Sequence, residues 1–326
     1  MNLRVLLTVT LLAAVWFCSF TKVAQAHAAT GSIQNGETGQ ADFSSLQKKA
    51  QSGDVNAEYL LGSSYMNGTG ISQDYEEAAR WYRMAAAQGS ADAEFGLGYL
   101  YEQGKGIARD YRQAMAYYTA AAKQGHATAE NNLASMYERG QGVRRNLAEA
   151  ARWYRAAADQ GEVTAQCNLA SLYFRGRGVA QDYAQAATWF RAAAERDYPP
   201  AQDNLAWMYY TGTGVTLDYS EAAKWVQRAA ADGYARAQVD LGYLYEQGKG
   251  VPLDYVSAYA WYKLAVAGGD DRGRERMKSL SRVMTQQQIS EASNRAAQFP
   301  GARLPQAGMS NPNGIRSSFT PGDEKK

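Results

Sequence analysis

The segment AQCNLASLYFRGRGVAQDYAQAATWFRAAA, residues 165–194, decides the fold. Ala165, Leu169 and Tyr173 recur at i, i+4 and i+8, which is one face of a helix. Gly176 and Gly178 then interrupt it, and glycine in that place ends a helix in a left-handed cap. Asp182 precedes a second apolar face made by Ala186, Trp189, Phe190 and Ala193, so it reads as an N-cap. The segment encodes one helix pair, A then B, with the loop between them.

Working outward in steps of 36 residues, the same pattern returns without insertion or deletion. The small position is Ala57, Ala93, Ala129, Ala165, Ala201 and Ala237, and the bulky one Leu61, Leu97, Leu133, Leu169, Leu205 and Leu241. Tyr65, Tyr101, Tyr137, Tyr173, Tyr209 and Tyr245 complete the A face. Helix B opens on Asp74, Asp110, Asn146, Asp182, Asp218 and Asp254. Glu77, Gln113, Glu149, Gln185 and Glu221 stand three residues further on, which predicts capping boxes in five of the six copies. The inter-repeat turn begins with Gly53, Gly89, Gly125, Gly161 and Gly233, with Asp197 as the exception. Trp81, Trp153, Trp189, Trp225 and Trp261 have core spacing on helix B.

One helix pair cannot bury both faces, whereas stacked neighbours can. The expected fold is therefore all-α: a right-handed α/α superhelix of six 36-residue repeats spanning 53–268, flanked by capping helices. Leu46 and Ala50 place an N-terminal capping helix over 41–52. Met277 and Leu280 extend the A pattern, and Thr285 with Gln288 opens a last helix ending before Pro300, so 269–300 reads as the C-terminal cap. Residues 27–40 read as a flexible lead-in, and 301–326 as a disordered tail rich in Pro, Gly, Ser and Asn.

Residues 1–26 are set aside from the fold. Arg4, the apolar stretch Val5 to Phe20, and Ala24-Gln25-Ala26 form a secretory signal, with cleavage expected after Ala26. An uncleaved anchor is the alternative, and bulky Phe17 before Cys18 argues against lipidation. The expected location is periplasmic or secreted, with no membrane span after cleavage. The remaining chain holds 32 basic and 32 acidic side chains, because the removed segment carries Arg4 and Lys22 and no acid. A balanced chain lacks the basic field used for nucleic acid. Cys167 is then the sole cysteine, so packing alone must hold the fold.

The pattern A-x-x-x-L-[GA]-x-x-Y-x-x-G-x-G-V-x-x-D-Y-x-x-A-x-x-W-[YF]-x-x-A-A resembles the Sel-1-like repeat, a relative of the tetratricopeptide repeat. The resemblance covers Gly53 to Gly268 and implies a superhelix whose A helices line a concave surface used for proteins or peptides. A disulfide-rich subgroup, linked to penicillin binding and β-lactam hydrolysis, carries two cysteines in every repeat. This chain lacks those pairs, so the resemblance gives that activity no support.

Catalytic chemistry finds little material. His27 and His126 are the only histidines; His27 would be the mature N-terminus and His126 falls at an A-helix start. No His/Cys cluster has transition-metal spacing. The Gly-Lys-Gly at 104–106 lacks the strand and the Lys-Ser/Thr of a phosphate loop. No catalytic residue, metal or cofactor is expected, and the chain is read as a non-enzyme.

The binding expectation rests on A-helix positions that the Ala–Leu–Tyr face does not need. Asn132, Asn168, Asn204 and Asp240 form one column; Tyr99, Trp207 and Tyr243 belong to another, with Tyr210 nearby. Stacked amides can bridge an extended peptide backbone, Arg139 and Arg175 can meet a carboxylate, and the aromatics can anchor apolar groups. The Asn column resembles the tetratricopeptide position that clamps a ligand backbone. The same amides could instead bond neighbouring helices, and both readings stay open. The expected partner is a protein or peptide, with cell-wall (peptidoglycan) binding or processing as the alternative, and a tethering role through the tail as a third.

Overall fold

The computed structural model describes residues 36–299. The expected signal (1–26), most of the lead-in and the tail (301–326) lie outside those residues. Among the described residues there are helices and turns and no strand. They divide into two compact units, the first ending at Gln88 and the second beginning at Gly89.

The first unit contains α1 (Gly36–Gln51), α2 (Val55–Asn67) and α3 (Tyr75–Ala87). The second holds the A helices α4 (Ala91–Gln103), α6 (Ala127–Arg139), α8 (Val163–Arg175), α10 (Pro199–Thr211) and α12 (Ala235–Gln247). Their B partners are α5 (Tyr111–Lys123), α7 (Leu147–Asp159), α9 (Tyr183–Ala194), α11 (Tyr219–Ala231) and α13 (Tyr255–Ala267). The chain then forms α14 (Arg272–Leu280) and α15 (Gln286–Gln298). Helix α1 starts before the expected boundary at residue 41. Gly36 and Gly39 lower helix propensity by about 1 kcal/mol each but leave the backbone bonds available, as proline would not.

The A faces pack as the pattern predicts. The six alanines are at most 4 % exposed and the six leucines at most 1 %. Burying each leucine contributes roughly 1.5–3 kcal/mol. Each A helix ends on a left-handed glycine; Gly176, at φ 62°, donates its N–H to the Leu172 and Tyr173 carbonyls.

The expected capping boxes are not how helix B begins. The N-cap side chains do accept helix amides, Asp110 from Arg112 and Gln113 at 2.8 and 3.1 Å. Their own amides, however, are already used: the N–H of Asp74, Asp110, Asn146, Asp182, Asp218 and Asp254 donates to the tyrosine carbonyl nine residues earlier, at 2.9–3.0 Å. With that amide taken, Glu77, Glu149 and Glu221 turn to Arg80, Arg152 and Lys224. The reciprocal box forms at α15, where the Thr285 amide donates to Gln288 Oε1 at 2.8 Å.

The tryptophans are a correction in part: Trp81 is 6 % exposed and belongs to the core as expected, whereas the later ones stand at its margin. The fully buried B column is the residue after them: Tyr82, Tyr118, Tyr154, Phe190, Val226 and Tyr262, at most 2 % exposed. Trp153, Trp189 and Trp225 are half-buried and lie under Arg152, Arg155 and Arg228 at 4.9–5.2 Å. These three rings sit at the margin of the seam and keep part of their surface in water.

Within the second unit, successive repeats approach closely at the loop glycines. A β-carbon on Gly142, Gly178, Gly214 or Gly250 would lie 1.9–2.4 Å from the first carbonyl oxygen of the preceding B helix. Each of these four A–B loops therefore rests on the start of the B helix before it.

Candidate functional site

Helices A and B of one repeat are tied by a hydroxyl. Tyr118 donates to Glu102 Oε2 at 2.8 Å, Tyr154 to Glu138 at 3.0 Å and Tyr262 to Glu246 at 2.5 Å; Tyr82 contacts Met66 Sδ at 3.4 Å. Burial, followed by the facing carboxylate, pushes the Tyr118 hydroxyl far above its usual value, so it remains a donor. Repeats 4 and 5 break the rule at both positions together. Phe190 and Val226 have no hydroxyl, and the positions that hold glutamate in repeats 2, 3 and 6 are Phe174 and Tyr210. Loss of the donor removes the reason for an acid there, and an aromatic ring replaces it.

Those replacements create an aromatic region in repeats 4–6. Phe174 meets Trp207 edge-on at 5.5 Å and Tyr183 at 5.0 Å. Tyr210 packs against Tyr219 at 5.3 Å and Tyr243 at 6.4 Å. Lys249 Nζ donates to the Tyr210 hydroxyl at 2.7 Å and lies 4.7 and 5.1 Å from the Tyr210 and Tyr219 ring centres. Arg276 covers Tyr243 at 5.1 Å. Such cation–ring contacts contribute roughly 0.5–1 kcal/mol where exposed.

The expected binding residues fall into two groups. Asn132, Asn168, Tyr99 and Tyr210 are half-buried, and Arg139 and Arg175 are exposed. Asn168 Nδ2 donates to Asn131 Oδ1 at 3.1 Å, and Asn131 to Asn132 at 3.3 Å, so these amides join neighbouring A helices while keeping an edge in solvent. Lys105 approaches the Tyr99 hydroxyl at 3.3 Å. The other group is buried: Asn204 and Asp240 are 0 and 1 % exposed, Trp207 and Tyr243 9 and 5 %. Their column turns inward because the aromatic region and the C-terminal cap close over repeats 5 and 6. Asn204 serves the Cys167 thiol and Trp207 serves Phe174. No continuous amide ladder therefore reaches solvent across repeats 3–6.

Asp203 was missed by the sequence reading. It is 1 % exposed, and Oδ2 lies 3.0 Å from Arg236 Nε. Asp240 bonds it, and Arg272 and Asp270 from the C-terminal cap lie close enough to act on it. Burial raises the Asp203 carboxyl above its usual range, with the Arg236 charge opposing. The available signal was Arg at equivalent positions 236 and 272, each at the start of an otherwise apolar A face.

The remaining chemistry is structural. His126 Nδ1 accepts the Ala129 amide at 3.1 Å as an N-cap, while Nε2 faces Asp92 at 3.3 Å and the ring stacks on Phe95. Cys167 is 2 % exposed, and burial pushes its thiol up to about 12, the opposite of an activated nucleophile. Among the described residues no His/Cys/Asp/Glu group is arranged to hold a metal, and no helix is long and apolar enough to cross a membrane.

Helix pairs of this length, glycine stops and stacking loops define an all-α repeat solenoid. The chain belongs to the Sel1 repeat family: the Sel1 repeat matches at 55–90, 91–126, 127–162, 163–198, 199–234 and 235–270. It is similar in structure to a Sel1 repeat protein from Oxalobacter formigenes, 31 % identical, with a TM-score of 0.61 over 72 % of this chain and 97 % of that one. It is also similar to c5321, a protective antigen present in uropathogenic Escherichia coli strains and displaying an SLR fold. That chain is 27 % identical, with a TM-score of 0.42 and 78 % of each chain covered. Among curated proteins no match was found. Sel1 repeat proteins are in general protein-interaction scaffolds.

Proposed function

We propose that this chain is an exported, non-catalytic scaffold that holds a protein or peptide partner against its A helices. The observation that carries the reading is that the joined amides of Asn132 and Asn168 keep part of their surface in solvent, as Tyr210 does, while Arg139 and Arg175 on the same A helices as those amides are exposed. It combines amides for a peptide backbone, an aromatic ring and guanidinium groups for carboxylates. The Ala24-Gln25-Ala26 site supports export to the periplasm or beyond. His126 and Cys167, the side chains nearest to an enzyme reading, are taken up by a helix cap and by the core.

The test is capture of partners from an envelope extract by the chain lacking residues 1–26. Arg139→Ala with Arg175→Ala should leave the melting curve unchanged, because both side chains are exposed, and lower capture by about fivefold or more. Undiminished capture removes this face from the reading. A cell-wall role is the second reading, favoured by the half-buried rings of Trp153, Trp189 and Trp225 on successive B helices. Cosedimentation with purified peptidoglycan, lost on Trp153→Ala with Trp225→Ala, would select it.

A further inference from the structure

The chain as a whole is close to charge balance, 34 basic against 32 acidic side chains, but its A–B loops are not alike. The loops of repeats 2–4, with the B-helix starts that follow them, occupy residues 102–116, 138–152 and 174–188. They hold nine basic side chains and five carboxylates. The equivalent stretches of repeats 5 and 6, 210–224 and 246–260, hold two basic side chains and four carboxylates. The basic excess is therefore local to three successive repeats.

The five carboxylates in that stretch already have work. Glu102 and Glu138 accept the Tyr118 and Tyr154 hydroxyls, and Glu138 also holds Arg177 at 3.5 Å. Glu149 pairs with Arg152 at 3.0 Å. Asp110 and Asp182 accept helix amides as N-caps. In repeat 3 that cap is Asn146, where the other five copies have aspartate. It takes the Ala148 and Glu149 amides at 3.2 and 3.1 Å, so the cap is kept and its charge is dropped beside Arg144 and Arg145. Arg109, Arg112, Arg139 and Arg144 are exposed, and among the described residues no carboxylate stands within ion-pair distance of them. Elsewhere Arg80, Arg228 and Arg274 each have a carboxylate at 2.6–3.3 Å.

Contacts join these residues into one edge. Gly142, in the loop with Arg144, lies against the Tyr111 carbonyl and the Arg112 amide. Gly178, beside Arg177, lies against Leu147, two residues after Arg145. Arg177 reaches back to Glu138, and both are close enough to act on Arg175. Arg109 lies over the Tyr111 ring at 5.5 Å, which holds its guanidinium in place.

We propose that the loop edge of repeats 2–4, with Arg109, Arg112, Arg139 and Arg144 at its centre, docks an extended acidic segment of a partner protein. Sel1 repeat proteins are in general protein-interaction scaffolds, and the anionic groups of a protein are carboxylates, which guanidinium forks match. Neighbouring helices pack about 8–10 Å apart, so three loops span roughly 20 Å, about six residues of extended chain. A single exposed pair contributes little, so attraction comes from several acidic groups together and weakens with salt. The chain's own residues 301–326 do not fit, with four basic side chains against two acidic. This rests on the scaffold reading and deepens it by naming the partner's chemistry and a second surface.

The probe is a fluorescein-labelled peptide of about twelve residues alternating glutamate and serine, long enough to cross the edge. It is compared with glutamine–serine and lysine–serine counterparts by fluorescence polarisation on the chain lacking residues 1–26. The glutamate peptide should bind at least about tenfold tighter than the others, and lose about fivefold or more between roughly 50 and 200 mM salt. Arg109→Gln with Arg112→Gln and Arg144→Gln should weaken it about tenfold with an unchanged melting curve. Arg80→Gln with Arg228→Gln and Arg274→Gln removes the same charge elsewhere and should leave binding within about twofold. Equal binding of the three peptides, or equal loss in the two triple variants, overturns the proposal. Tighter binding to phosphatidylglycerol vesicles than to the peptide, lost in the edge variant, would assign the edge to an anionic membrane and overturn it too. So would a dimer that the edge variant dissolves, which makes a second copy the occupant. Envelope capture lost in Arg139→Ala with Arg175→Ala but unchanged in the edge variant would sink this inference and leave the scaffold reading standing.

Discussion

The Tyr118 hydroxyl donates to Glu102 at 2.8 Å, joining the two helices of one repeat across a buried ring. A hydrogen bond to a charged acceptor contributes about 1.5–3 kcal/mol. Tyr118→Phe should therefore lower stability by that amount in urea unfolding, because Glu102 is left facing an apolar edge. Tyr118→Phe with Glu102→Phe should cost less than the two single changes added, as Phe190 and Phe174 occupy these positions in repeat 4. Additive costs would show that the two positions are independent.

Asp197 holds a φ of 57° at a turn where the other repeats have glycine. Its carboxylate receives Arg228 Nη2 at 2.6 Å, but both side chains are about half exposed. That pair contributes at most about 1 kcal/mol, comparable to the left-handed strain. Asp197→Gly should be neutral to stabilising by up to about 1 kcal/mol, and more favourable still in an Arg228→Ala background. A lower melting temperature in that background would contradict the strain.

Gly70 and Gly214 share nearly the same backbone, φ 75° and 73°, yet only Gly214 meets a neighbouring main chain. Gly70→Ala should cost about 1 kcal/mol from the backbone alone. Gly214→Ala should cost about 2 kcal/mol more, since its β-carbon would displace the loop from Tyr183. Equal losses would mean that the loop contact contributes nothing.

The Asp203 carboxyl is raised above 3.8 in the folded chain, mainly by burial. The folded state then holds the proton more tightly than the unfolded state. The stability this supplies is complete below 3.8 and is lost as pH rises through the higher folded value. Arg236, Arg272, Asp240 and Asp270 are the charged groups that face it. Asp203→Asn cannot titrate, so the native chain should lose stability relative to this variant as the pH is raised from 4 to 8, in urea midpoints. A difference that stays flat, or moves the other way, would place the folded value at or below the unfolded one.

Periodicity revealed the helix pairs because Ala, Leu and Tyr recur wherever two A faces meet, and glycine wherever the chain must turn left-handed. It misassigned what depends on which atoms are already bonded. Glu77 and Glu149 have capping-box spacing, but the Asp74 and Asn146 amides are spent on Tyr65 and Tyr137. Asn204 and Asn168 share a column, yet one is buried beside Cys167 and the other reaches water, because their surroundings come from other repeats. The exchange of Tyr and Glu for Phe190 and Phe174 was visible in the sequence only by comparing two columns at once. Asp203 carried less of a signal, since its partners lie in α12 and at the start of the C-terminal cap.

The bond from the Asp182 amide to the Tyr173 carbonyl begins and ends inside a single repeat. A loop closed in this way carries its own tie, and its contact with the preceding B helix adds to that tie rather than making it. Duplication or loss of a 36-residue cassette would leave each such loop intact, so array length is open to recombination without an intermediate that misfolds locally. The aromatic cassettes, repeats 4 and 5, are tied more closely to their order, because Phe174 meets Trp207 of the next repeat and Tyr210 meets Tyr243 and Lys249 of the one after.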